Sequence, residues 1–144
     1  MADTGSIVEV LGGAKVFRQP IADAWELQEK ARKGLPYAAL VSLVKRLRLG
    51  SEEVVFVFNL KRRTLARRKE ARVLHADESD RVLRVARILA LAREVFGAEE
   101  KATIWLRRTN RALRNRAPLS LLDTDLGARE VENVLVRLER GVIG

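Results

Sequence analysis

The segment KRRTLARRKEAR, residues 61–72, sets seven bases against one acid, and it follows directly on the apolar run VVFVFNL, residues 54–60. A basic tail would lack such an anchor, so the segment reads as a folded basic helix. Arginine can bind guanine or phosphate through paired N–H donors, and a threonine hydroxyl can hold a phosphate. Arg62, Arg63, Thr64, Arg67 and Arg68 are therefore the candidate DNA contacts, with Leu65 turned toward the domain core. Two short helices joined by a tight turn, the second of them basic, match helix-turn-helix geometry, in which the second helix enters the major groove. A solvated basic helix without a ligand would share this composition.

Other chemistry is thinly provided for. Without cysteine there is no thiol nucleophile, thiolate zinc site or disulfide, and the one histidine, His75, has no second histidine or cysteine with which to form a metal set. Gly12-Gly13-Ala14-Lys15 lacks the spacing and the following hydroxyl of a phosphate loop and reads as a turn. The acids Asp77, Glu78 and Asp80, like Glu99 and Glu100, suit the positive ends of helices. Trp25 and Trp105 lie in amphipathic stretches and are expected in the core. No nucleophile stands in a pattern with a base, so there is no positive case for an enzyme, and neither a cofactor nor a metal site is expected.

The elements that must position these residues read as helices throughout. Pro20 opens a helix that stops at Gly34, and Pro36 opens one that stops at Gly50, with Leu40, Leu43, Val44 and Leu47 on one stripe. Ser51 is the expected cap of the next helix, and Asn59 suits the left-handed turn before the basic helix at about 61–71. A second group begins near Asp77, the cap candidate, and runs to Gly97 with Val82, Val85, Ala86, Leu89 and Phe96 on one face. A helix from Ala98, a turn capped by Asn110, a short-helical stretch from Pro118 and a last helix from Ala128 to Arg140 complete the chain. That last helix is followed by Gly141 and the apolar terminus Val142-Ile143-Gly144, which could probe a partner's pocket or simply fray.

The 144 residues carry a net charge of +9, and the excess is local. Residues 1–30 hold three bases and five acids, residues 31–72 twelve and three, and residues 73–144 thirteen and eleven. The middle segment thus holds an excess equal to that of the whole chain. The shift divides the sequence into an N-terminal helical part, 1–72, and a C-terminal part, 73–144. No apolar run reaches the length of a membrane span, and the acidic N-terminus MADTGSIVEV does not look like a leader, so the cytoplasm is the expected compartment.

Taken in order, the residues of the C-terminal part resemble the Xre/MbcA/ParS family of antitoxins. The likeness rests on Glu78-Ser79 before Arg81 and Arg84, Val95-Phe96-Gly97, Trp105-Leu106, Asn110 with Ala112-Leu113, and Pro118-Leu119. It continues through Leu122, Thr124, Gly127, Val131, Leu135, Arg137 and Gly141-Val142. Gly34-Leu35-Pro36 and Arg63-Thr64-Leu65 with Arg67-Arg68 resemble the family's helix-turn-helix part. One departure is Arg114-Asn115-Arg116, where the family usually has glycine after Ala-Leu. The resemblance implies an all-α fold, an Xre-like helix-turn-helix bundle followed by a helical toxin-binding domain. It implies an antitoxin of a type II toxin–antitoxin system. Its partner would be a RES-domain toxin acting on NAD, by degradation or by ADP-ribosyl transfer, and the antitoxin's C-terminal segment would block the toxin's active site. The toxin-binding candidates carried over are Arg137, Glu139, Arg140, Gly141, Val142, Ile143 and Gly144. Glu139 or the terminal carboxylate could meet basic groups of such a pocket, and Arg140 a catalytic acid. The resemblance further implies a homodimer that binds operator DNA and represses its own operon. A stand-alone helix-turn-helix regulator without a toxin would account equally well for the charge.

Overall fold

In the computed structural model, which describes residues 2–141, nine α-helices follow one another with two 3-10 turns and no strand among the described residues. They are α1 (Thr4–Val10), α2 (Ala14–Phe17), α3 (Ala24–Lys33), α4 (Tyr37–Leu47), α5 (Ser51–Phe58), α6 (Arg62–Ala71), α7 (Ala76–Phe96), α8 (Glu99–Arg107) and α9 (Asp125–Glu139). The 3-10 turns are Arg111–Leu113 and Pro118–Leu121, between α8 and α9.

The 21 residues of α7 make it the axis of the molecule. The run from Ile88 to Ala92 is buried all round, as a helix must be when neighbours cover every side. It packs against α1, α3, α4 and α5 on one side of the sequence and against α8 and α9 on the other. One apolar cluster therefore continues from Ile7 to Leu135, across the point at residues 72–73 where the charge balance changes.

The helical reading holds for all seven longer elements, and several ends move. The helix expected from Pro20 begins at Ala24, where the Asp23 carboxylate accepts the Glu26 N–H at 3.0 Å. Ser51 is the first residue of α5 and Gly50 its cap, because Glu53 reaches back to the Gly50 N–H at 2.9 Å. His75, not Asp77, caps α7, and Glu78 accepts its N–H at 2.8 Å. α9 begins at Asp125, three residues earlier than expected, because Thr124 Oγ1 accepts the Gly127 N–H at 3.0 Å. α4 ends at Leu47, as Arg48 turns left-handed with φ 55°.

Trp25 corrects the expectation that it is core: it is 72% exposed. Only Leu27 and Ala31 of α3 are buried, and Trp25 lies two residues from Leu27, about 200° around the helix. Trp105 is half-buried, its ring 5.4 Å from that of Phe96. The helices α1 and α2, which were not anticipated, are held by Ile7, Val10, Leu11 and Phe17. Ser42 also donates to the Val10 carbonyl at 2.8 Å.

Candidate functional site

Helix α5 is anchored by Val54, Val57 and Phe58, all buried. Asn59 then takes the left-handed conformation, φ 50°, and buried Leu60 pins the turn. Extended Lys61 starts α6, so the two short helices are joined by three residues, the tight connection expected of a helix-turn-helix. α6 has no fully buried residue, and Leu65 is half-buried against the core, the side predicted for it. Arg62, Arg63 and Arg67 are exposed and Thr64 is half-buried. Arg62 has only a loose contact, 4.0 Å, with the exposed Glu52. Lys61 and Lys69 add outward charge that the choice of four arginines and Thr64 passed over.

Arg68 faces the other way. Its Nε donates to Glu78 Oε1 at 2.7 Å and its Nη2 to Oε2 at 3.0 Å, the two-pronged geometry of a strong charged pair. Glu78 is buried, its side chain 5% exposed against 15% for Arg68. Burial by itself pushes the Glu78 carboxyl up, but donation from Arg68 and from the His75 N–H outweighs it and holds the carboxyl below the usual range. Arg68 Nη2 also lies 3.1 Å from His75 Nδ1, which must accept, since guanidinium has no acceptor. His75, Asp77 and Glu78 bring ligand-type atoms within 4.8 Å of one another, but both Glu78 oxygens are engaged by Arg68. Arg68 thus fastens α6 to α7, on a different side of the helix from Arg63 and Arg67.

A second clasp holds the far end of α6. The Leu74 N–H donates to the Leu35 carbonyl at 2.9 Å and the Tyr37 N–H to the Arg72 carbonyl at 3.0 Å. Buried Ser79 accepts the Leu35 N–H at 2.8 Å. Gly34 makes this approach possible: its φ is 104°, and a Cβ there would overlap the Leu74 carbonyl oxygen.

α8 is tied to the same unit. Arg107 donates to the Leu47 carbonyl at 3.0 Å, to the Arg48 carbonyl at 2.6 Å and to both oxygens of Glu53 at 3.0 Å. One guanidinium therefore closes the end of α4 and braces the start of α5. Donation from Arg107, then from the Gly50 N–H, holds the Glu53 carboxyl low.

Beyond α8, Asn110 accepts the Ala112 N–H at 2.9 Å and caps the expected turn. Arg114 and Asn115, at the departure from the family pattern, both take positive φ, 56° and 62°. These are backbone conformations that glycine adopts most easily. The turn is kept without glycine, held by the Asn115 N–H on the Asn110 carbonyl at 2.9 Å. Gly127 lies against the Leu121 carbonyl oxygen, which a Cβ would overlap, so the first turn of α9 seats closely on the preceding 3-10 turn. Ala128, Val131, Val134 and Leu135 bury one face of α9, and Arg137, Glu139, Arg140 and Gly141 are exposed at its end. Val142, Ile143 and Gly144 lie outside the described residues. Leu126, 77% exposed, was not anticipated as a surface feature. Its sequence signal is that it falls off the 128, 131, 135 stripe.

The comparisons with known proteins agree with this layout. Residues 26–87 match the antitoxin Xre-like helix-turn-helix domain, and residues 91–141 match the antitoxin Xre/MbcA/ParS C-terminal toxin-binding domain. The antitoxin Xre of Pseudomonas putida is 34% identical over 122 residues, 84% of this chain and 76% of that protein. The chain belongs to the Xre/MbcA/ParS antitoxin family. The antitoxin Xre of Photorhabdus laumondii is 29% identical over 126 residues, 86% of this chain and 85% of that one. That of Yersinia enterocolitica is 40% identical over 67 residues, 46% of this chain and 45% of its own. In this Xre-family antitoxin the first matched region ends and the second begins within α7, with three residues between them, so one continuous helix joins them. No helix of the described residues is long and apolar enough to cross a membrane.

Proposed function

We propose that this antitoxin neutralises a RES-domain toxin that acts on NAD, and that it also represses its own operon as a homodimer. The observation that carries this reading is the match of residues 91–141 to a toxin-binding domain, on a fold whose last helix leaves Arg137, Arg140 and Gly141 exposed. The end of α9 and the residues after it enter the toxin's active site. A pocket that accepts the pyrophosphate of NAD needs basic groups, which Glu139 meets, while Arg140 meets an acid. The toxin holds the NAD, so this chain supplies occlusion and not chemistry. The helix-turn-helix unit serves the second role: Arg62, Arg63, Thr64 and Arg67 face the operator and Arg68 positions the helix that carries them.

The test is to look for a RES-domain reading frame beside the gene and to co-express its product with this chain, followed by growth and cellular NAD. The RES-domain protein alone should arrest growth with loss of NAD or accumulation of ADP-ribosylated protein, and the antitoxin should reverse both. An arrest that persists with the antitoxin present at equal level overturns the reading. DNA binding together with the absence of any RES-domain neighbour would favour a stand-alone regulator.

A further inference from the structure

Helix α3 presents Trp25, 72% exposed, at the side of a groove of about 660 Å³ lined also by Pro20, Ala22, Glu29, Lys30 and Lys33. An indole of this kind offers roughly 150–250 Å² of surface to a partner. The charges beside it are segregated along the helix. Glu26 and Glu29 come first along the helix and Lys30, Arg32 and Lys33 after them; within the chain Glu26 accepts the Ala22 N–H at 2.9 Å and Glu29 has only a loose exposed contact, 3.9 Å, with Arg32. Both signs are present, so this face is not built for a polyanion. The pattern is self-complementary: a two-fold axis across α3 sets the acids of one copy against the bases of the other, twice over. The same operation brings Trp25 toward the basic end of the partner helix, where a cation can sit over the indole face.

We infer that α3 is a self-docking surface, and that two copies of this chain pair it antiparallel with Trp25 buried at the contact. This rests on the dimeric, operator-binding reading proposed above and names the surface that makes the dimer.

Sedimentation velocity on the full chain over a concentration series tests it, with neither toxin nor DNA present. One variant carries Glu26→Lys and Glu29→Lys, the other Lys30→Glu and Lys33→Glu, and circular dichroism checks that both are helical. The wild type should be dimeric, each variant alone monomeric, and an equimolar mixture of the two dimeric again, because opposite charges then face each other. Trp25→Ala should weaken association at least about tenfold. A wild type that is monomeric throughout, variants that dimerise as well as the wild type, or a mixture that does not associate would each overturn the inference. Neutralisation of a toxin does not enter the assay, so failure here leaves that reading standing, and its failure would leave this one.

Discussion

Arg68 and Glu78 are joined by two hydrogen bonds, 2.7 and 3.0 Å, across the gap between α6 and α7. Arg68 comes from the most basic stretch of the sequence, yet it is turned from the solvent face to hold that stretch in place. Because the Glu78 carboxyl is lowered on folding, the pair contributes stability that is present above the ordinary carboxylate range. That contribution is lost as pH falls through the lowered value. Glu78→Gln should lower stability by about 2 kcal/mol at neutral pH. Its deficit against the wild type should shrink in acid, below about pH 4. Urea unfolding of both proteins from pH 7 to pH 3 measures this, and a deficit that does not change with pH contradicts it.

Arg63 and Arg67 stand exposed on α6, about 140° and 100° around the helix from Arg68. Replacing both with alanine should leave the unfolding midpoint nearly unchanged, since surface substitutions of this kind stay within about 0.5 kcal/mol. Operator affinity should fall, and the slope of log affinity against log salt should lose about 0.9 for each phosphate contact removed. Fluorescence anisotropy across a salt series gives both numbers. An unchanged affinity and slope would remove α6 from the DNA contact.

Gly34 allows the α3–α4 connection to close on Leu74. Gly34→Ala combines a positive φ with an overlap against backbone, and should cost about 2–4 kcal/mol. Thermal unfolding checks it. A variant as stable as the wild type would mean that the clasp at Leu35 and Leu74 can open without loss.

Much of this arrangement was legible in the sequence, for identifiable reasons. The stripe Leu40, Leu43, Val44, Leu47 and the glycine stop at Gly97 are local signals, and both appear as read, with Val44 half-buried at the edge of the stripe. Caps were less legible. Ser51 and Asp77 are good capping residues by type, but Glu53 and Glu78 each reach back one turn, to the N–H of Gly50 and of His75, and move the cap one and two residues earlier. Trp25 was misplaced because it lies in an amphipathic stretch, while the helical register of Leu27 and Ala31 puts it outside. The role of Arg68 was hidden for a related reason. Charge is read from one segment, and its partner Glu78 lies in the next helix. Of the C-terminal candidates, Arg137, Glu139, Arg140 and Gly141 lie at the exposed end of α9, and the remaining three fall outside the described residues.

The central claim is that neutralisation and operator binding sit on separate surfaces of one antitoxin, the first at the end of α9 and the second on α6. The most direct measurement is growth rescue and cellular NAD in cells expressing the RES-domain toxin with one of two variants: a chain lacking residues 140–144, or the full chain with Arg63→Ala and Arg67→Ala. The account predicts that the truncated chain remains folded and binds operator DNA but fails to rescue, while the double variant rescues fully. Full rescue by the truncated chain would contradict it.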